Sequence, residues 1–135
     1  ENIRKLLAAN FTKYQYVNGT RNPDIISPDS WNTDQYVLYR PANKEIQLAL
    51  FYDYQNNLKQ YPKWHEYFRT NQPPTLVAWG KNDIFFAPQG ALAFQKDLKD
   101  VEVHLLNTGH FPLEEDLDVS VSLIEHFLDE RIKQL

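Results

Sequence analysis

The 135-residue chain has no cysteine, no methionine and only four glycines, Gly19, Gly80, Gly90 and Gly109. Without cysteine there are no disulfides, no thiolate metal ligands and no cysteine nucleophile, which fits a cytoplasmic setting. No two of the glycines stand four residues apart, so no Gly-x-Ser-x-Gly turn exists, and no comparable nucleophile turn is found. No apolar run approaches the roughly 20 residues that a membrane span needs, and the N-terminus shows neither a signal-peptide core nor a small-residue cleavage site. The net charge of −4 is spread out, with no arginine-rich run to attract a phosphate backbone. Neither nucleic acid nor a membrane is therefore expected as a partner.

What is present is the material of a folded protein: 42% hydrophobic residues, 14% aromatic and 24% charged. A chain of this length can bury roughly two thirds of the surface exposed when unfolded. Two glycosylation-type triplets, Asn10-Phe11-Thr12 and Asn18-Gly19-Thr20, read as helix and turn polarity. The lack of methionine and the start at Glu1, directly in an amphipathic pattern with no cap before it, predict a fragment of a longer protein.

The first 70 residues read as helix broken by proline. Ile3, Leu6, Leu7, Phe11 and Tyr14 recur at helical spacing, with Gly19 as the stop. Arg21 to Ile26 reads as loop, and Ser27-Pro28-Asp29 then offers an N-cap, a proline at the first position and an acidic first turn for a second helix to about Tyr39. Asn43 is expected to cap a third helix, with Ile46, Ala49, Leu50, Tyr54, Leu58 and Tyr61 in one apolar stripe ending at Pro62. Pro62 restarts a short helix carrying Trp64, Tyr67 and Phe68.

Asn71-Gln72-Pro73-Pro74 marks a boundary, because two prolines cannot continue a helix. Thr75 to Trp79 is a continuous apolar run, as in a parallel strand covered on both faces. Pro88 opens a helix to about Asp97, Val101 to Leu106 gives a second strand, and Leu117, Val121, Ile124, Leu128, Ile132 and Leu135 mark a long final helix. Strand, helix, strand, helix predicts an α/β arrangement with parallel pairing. Two strands leave unpaired edges, which predicts that further strands come from elsewhere, or that the chain dimerises or exchanges strands.

Asp83 and His110 each fall a few residues beyond a predicted strand end, where working groups collect in open α/β sheets. A histidine that takes a proton needs its other ring nitrogen held by an acceptor, and a carboxylate there fixes the tautomer and stabilises the imidazolium. The other histidines read as structural: His65 beside Trp64, His104 within a strand, His126 on the surface of the last helix. Glu114-Glu115-Asp116 reads as favourable acidic charge at a helix start, and no histidine pair has zinc-helix spacing, so no metal is expected. Ser120 and Ser122, without flanking glycines, are not candidate nucleophiles.

Pro73 through Asp83, with Pro88 and Gly90 following, resembles the seventh strand and acid loop of α/β-hydrolase fold enzymes. Asn107-Thr108-Gly109-His110-Phe111-Pro112-Leu113-Glu114 resembles their histidine loop. Within that superfamily the chain is most similar to capped members related to epoxide hydrolases and haloalkane dehalogenases. The resemblance implies a helical cap over residues 1–71, then the last two strands and helices of the sheet over residues 72–135, incomplete without the N-terminal half. It also implies that Asp83 orients His110 in a nucleophile–His–acid triad whose nucleophile, Ser or Asp, lies outside this chain, which alone is expected to be inactive. No cofactor is implied.

Tyr52 and Tyr54 are compared with the cap tyrosines that polarise an epoxide oxygen in such enzymes, without a sign of which points inward. Phe85 and Phe86 are expected to pack beneath the cap, Phe85 against substrate, and the aromatic content suits a small, apolar substrate. The competing reading is a non-catalytic helical interaction domain in which Asp83 and His110 serve as turn residues.

Overall fold

A computed structural model describes residues 3–132; Glu1 and Leu135, assigned above to the first and last helices, lie outside the described residues. Five α-helices precede the first strand: α1 (Ala9–Val17), α2 (Pro28–Leu38), α3 (Asn43–Asp53), α4 (Gln55–Leu58) and α5 (Tyr61–Asn71). The remainder runs β1 (Thr75–Gly80), α6 (Pro88–Ala93), β2 (Val101–Leu106), α7 (Pro112–Glu115) and α8 (Leu117–Phe127). The strands pair in parallel, from Thr75 opposite Val101 to Gly80 opposite Leu106. The described residues are thus helical with a two-stranded parallel sheet, the α/β arrangement that the pattern of elements predicts.

Several elements depart from the sequence pattern. The expected first helix is a 3-10 turn, Ile3–Leu7, and then α1, because Ala8 is extended (φ −91°, ψ 148°). Gln35 stabilises this break: its Nε2 donates to the Leu7 carbonyl at 3.4 Å and its Oε1 accepts from Thr12 Oγ1 at 2.7 Å. The residues that α1 buries are Thr12 and Tyr16, whereas Tyr14 of the expected stripe is exposed. The Tyr16 ring stacks on Phe111 with 4.1 Å between centroids, and its hydroxyl donates to Asp34 at 2.6 Å.

The loop before α2 contains a 3-10 turn, Pro23–Ile25, capped by Asn22, and α2 begins at Pro28 with Ser27 as its cap, as expected. Asn43 does not cap α3. It is the helix's first residue, preceded by left-handed Ala42 (φ 68°), and its side chain donates to the Val37 carbonyl instead. The predicted continuous helix stops at Asp53, and Ile46, Leu50, Tyr54 and Leu58 are all exposed, so the stripe is not a core. Each large aliphatic side chain left in water forgoes roughly 1.5–3 kcal/mol of burial.

Gln72 ends α5 in the left-handed region (φ 45°), and its side chain replaces lost helical partners. Nε2 donates to the carbonyls of Phe68, Arg69 and Asp97, and Oε1 accepts from Lys99 N–H at 2.9 Å. The end of α5 is therefore also a point at which that helix is fastened to the segment before β2. Within β1 only Val77 and Gly80 are buried, and β2 has no buried residue, so the expected cover on both faces is not provided by the described residues. The helix opened by Pro88 turns 3-10 at Phe94–Lys96, and α8 passes into a π-helical turn at Leu128–Ile132, its apolar positions Leu117, Ile124 and Leu128 exposed. The buried apolar groups are few: Leu7, Tyr16, Ile26, Val77, Ala91 and Leu98.

Candidate active site

The two strand ends are knitted together before any side chain is considered. Lys81 N–H donates to the Leu106 carbonyl at 2.8 Å and Asn82 N–H to the Thr108 carbonyl at 3.1 Å. Asn82 Nδ2 adds a bond to Asn107 Oδ1 at 3.2 Å. These ties extend the register of the sheet into both loops and carry Asp83 and His110 toward one another across 27 residues of sequence.

Asp83 is almost fully buried, its side chain 6% exposed. Its Oδ1 accepts from the N–H groups of Phe85, at 2.7 Å, and Phe86, at 3.1 Å. Its Oδ2 lies 2.8 Å from His110 Nδ1. One oxygen thus fixes the loop and the other holds the imidazole. Phe85, Phe86 and Phe111 surround the His110 ring at centroid distances of 5.1, 5.4 and 4.7 Å. With Nδ1 directed at the carboxylate, Nε2 is the nitrogen left to exchange a proton.

A cavity of about 700 Å³ lies beside this pair, lined by His110, Phe85 and Phe86 on one side and by Leu6, Phe11 and Phe51 on the other. A second, of about 620 Å³, lies between α5 and α6, with Trp64, Phe68, Trp79 and His65 in its wall. Phe85 and Phe86 border both. Phe85 also meets Phe11 edge-on at 6.0 Å, a contact between the acid loop and α1. Trp79 lines the second cavity and donates its indole N–H to the Phe86 carbonyl at 2.8 Å.

Tyr52 and Tyr54 border neither cavity. Tyr52 is 78% exposed, and Tyr54 shares a hydroxyl hydrogen bond with Tyr61 at 3.3 Å. The tyrosine nearest the histidine loop is Tyr16, which the sequence did not single out; burial and its bond to Asp34 push its hydroxyl pKa well above the ordinary value. His65 faces the second cavity with Nδ1 against Asp97 Oδ2, and Arg69 holds the other oxygen at 2.8 Å. His104 stands beside Glu102 and His126 is exposed. Ser120 is buried without a partner for its hydroxyl, and Ser122 donates to the Asp118 carbonyl. Among the described residues, no group of three or more His, Asp or Glu residues could hold a metal ion, and no helix is long and apolar enough to cross a membrane.

Glu114 and Glu115 stand in the first turn of α7, as acidic charge at a helix start should, but Glu115 also does something the spacing does not reveal. Its side chain is fully buried and accepts from Gly109 N–H at 3.0 Å, Arg21 N–H at 2.7 Å and Arg21 Nε at 3.3 Å, while Asp116 pairs with Arg21 at 3.0 Å. Those carboxylates raise the pKa of the Arg21 guanidinium. No sequence signal marks the Arg21–Glu115 pair, which is 94 residues apart.

A carboxylate-held imidazole thus lies beyond the carboxyl ends of two parallel strands, in a chain whose helices α1 to α5 precede them, which is a partial α/β fold. The sequence model described as alpha/beta hydrolase fold matches residues 6–117, and the chain belongs to that family. It is 41% identical, over 100 residues, to an uncharacterized hydrolase of Saccharomyces cerevisiae; the match covers 74% of this chain and 34% of that protein. The matched region thus spans about a third of the length of that curated relative. No solved structure matches the chain.

Proposed function

We propose that Asp83 and His110 are the acid and base of a nucleophile–His–acid triad in a hydrolase, with residues 1–71 as its cap and residues 72–135 as the end of its core. The observation that carries this reading is the 2.8 Å contact between His110 Nδ1 and the buried Asp83 carboxylate. Nε2 then accepts a proton from the nucleophile or from water, and the adjacent carboxylate stabilises the imidazolium that results. The preceding part of the protein supplies the nucleophile. If it is Asp, its carboxylate forms an ester with the substrate and His110 activates the water that cleaves it; if it is Ser, His110 first removes the hydroxyl proton.

The cavity beside His110 is walled largely by carbon, which suits a small apolar substrate carrying an ester, epoxide or related bond. The resemblance of the chain to capped members related to epoxide hydrolases and haloalkane dehalogenases is in keeping with such a substrate. Residues 1–135 alone are inactive in this reading. The test is an ester and epoxide panel run on the protein with its preceding portion present: His110→Ala and Asp83→Ala should each abolish turnover. Full activity in both variants would refute the assignment.

A further inference from the structure

Glu115 occupies a position that no catalytic step requires, yet it is the most completely enclosed carboxylate beside the candidate site. Its side chain has no solvent exposure, and its two oxygens serve different parts of the chain. Oε2 takes the N–H of Gly109, the residue immediately before His110. Oε1 takes both the backbone N–H and the Nε of Arg21, in the turn that follows α1. A buried carboxylate stripped of such donors is costly, which makes the bonds mutually dependent: each donor group keeps the acceptor in place for the other.

The same two segments touch directly. A Cβ on Gly109 would stand 2.5 Å from the Asn18 carbonyl oxygen and 3.3 Å from Thr20 N. Gly19 (φ +80°) turns the chain there, with no room for a Cβ against the Asn82 carbonyl of the acid loop. Residues 18–21 therefore rest on both loops and are bonded, through Glu115, to the peptide that carries His110. The Tyr16–Phe111 stack adds a contact one residue beyond the histidine.

We propose that Glu115 is a positioning residue that makes the placement of His110 conditional on docking of the turn at residues 18–21. When that turn is seated, Glu115 holds the Gly109 peptide and the imidazole is directed at Asp83. When the turn lifts, the carboxylate loses the Arg21 donors, and the histidine loop loses its constraint. The arrangement links the helical region to the base without any contact between Glu115 and substrate. This inference rests on the reading of His110 as the base.

The experiment uses the whole protein, with Glu115→Gln, Arg21→Ala, the double variant and, as a control, Glu114→Gln, whose exposed side chain accepts from Ser30 and makes no hydrogen bond to the Gly109 peptide. Glutamine keeps the shape of Glu115 but presents an amide N–H toward one of the existing donors. Each of the first two variants should lower kcat by about 10- to 100-fold with KM changed less than about twofold, as expected for a displaced catalytic group. The double variant should be no worse than the poorer single one, and the control should match the wild type.

A second readout does not need turnover: the ring ¹⁵N signals of His110 should show one fixed tautomer in the wild type and averaging in Glu115→Gln and Arg21→Ala. Unchanged ring signals and kcat in folded Glu115→Gln would overturn the proposal, as would losses in Arg21→Ala and Glu115→Gln that multiply as independent effects. If Asp83→Ala and His110→Ala retain activity, the hydrolytic reading has failed, whereas the ring signals still report on whether Glu115 positions the histidine.

Discussion

Gly80 and Gly109 meet so closely that a Cβ on Gly80 would overlap the Gly109 carbonyl oxygen. The contact lies where β1 gives way to the acid loop and the histidine loop crosses it. Gly80→Ala can be accommodated only by moving one loop off the other, at a cost of about 1–3 kcal/mol by analogy with overpacked cores. Urea unfolding of the whole protein should show that loss, and a larger loss in kcat than in KM, because Asp83 and His110 separate. Gly90→Ala is the control: a Cβ there meets only Trp79 ring atoms at 3.6 and 3.7 Å, an ordinary contact. An alanine at position 80 with wild-type stability and rate would contradict this packing.

Asp83→Asn should leave the loop standing, since a carboxamide oxygen can still accept from Phe85 and Phe86 N–H, but it replaces the acceptor facing His110 with a donor or a weaker acceptor. In serine proteases the equivalent change costs about four orders of magnitude in turnover. We expect a loss of that size in kcat with little change in unfolding midpoint. Asp83→Ala should lose turnover and destabilise the loop together, which comparison of the two variants by calorimetry and ester hydrolysis will show.

The second histidine–carboxylate pair gives a pH prediction. Hydrogen bonding to His65 chiefly, and to Arg69, holds the Asp97 carboxyl below its ordinary value of 3.8, against the opposing effect of burial. Because the folded state binds the proton less readily than the unfolded chain, this contribution is present above the ordinary value and is lost as pH falls through the lower folded one. The stability difference between wild type and Asp97→Asn should therefore close on acidification below about pH 4. A gap that persists or widens there would contradict it.

Tyr16→Phe removes the hydroxyl that donates to Asp34 and keeps the ring that stacks on Phe111. A loss of about 1 kcal/mol in unfolding free energy is expected. Tyr16→Ala should cost several times more, because it also leaves a void between α1 and the histidine loop. Equal effects of the two substitutions would show that the stack contributes nothing.

Ile46, Leu50 and Leu58 on the helical side, with Leu117 and Ile124 on α8 and Leu128 in the turn after it, are large apolar side chains that the described residues leave exposed. Residues 1–135 alone should associate in sedimentation experiments, and the preceding part of the protein should suppress that association. A monomer that melts cooperatively at all concentrations tested would instead favour a self-sufficient interaction domain.

Asp83 and His110 were legible in the sequence because each sits in a short turn motif just past an apolar strand, and strand ends are local features. The Ser27-Pro28 start of α2 was legible for the same reason. Periodicity marked the apolar positions of α3 and α8 but could not say that no described residue covers them, since a helical stripe records which face is apolar and not what lies opposite. The break at Ala8 depends on Gln35, and the burial of Glu115 depends on Arg21, partners 28 and 94 residues away in the bonds that matter. Long-range satisfaction of a polar group leaves no mark on spacing. Tyr52 and Tyr54 are suggested only by the family resemblance, whereas Tyr16 is set against the histidine loop by its stack on Phe111, a contact between distant parts of the chain that spacing cannot show.

Oδ1 of Asp83 is already engaged by two consecutive peptide amides whether or not an imidazole occupies the other oxygen. The acid therefore keeps its aim during any excursion of the loop opposite. The orientation of the carboxylate is set inside its own loop, by amides two and three residues onward in the chain.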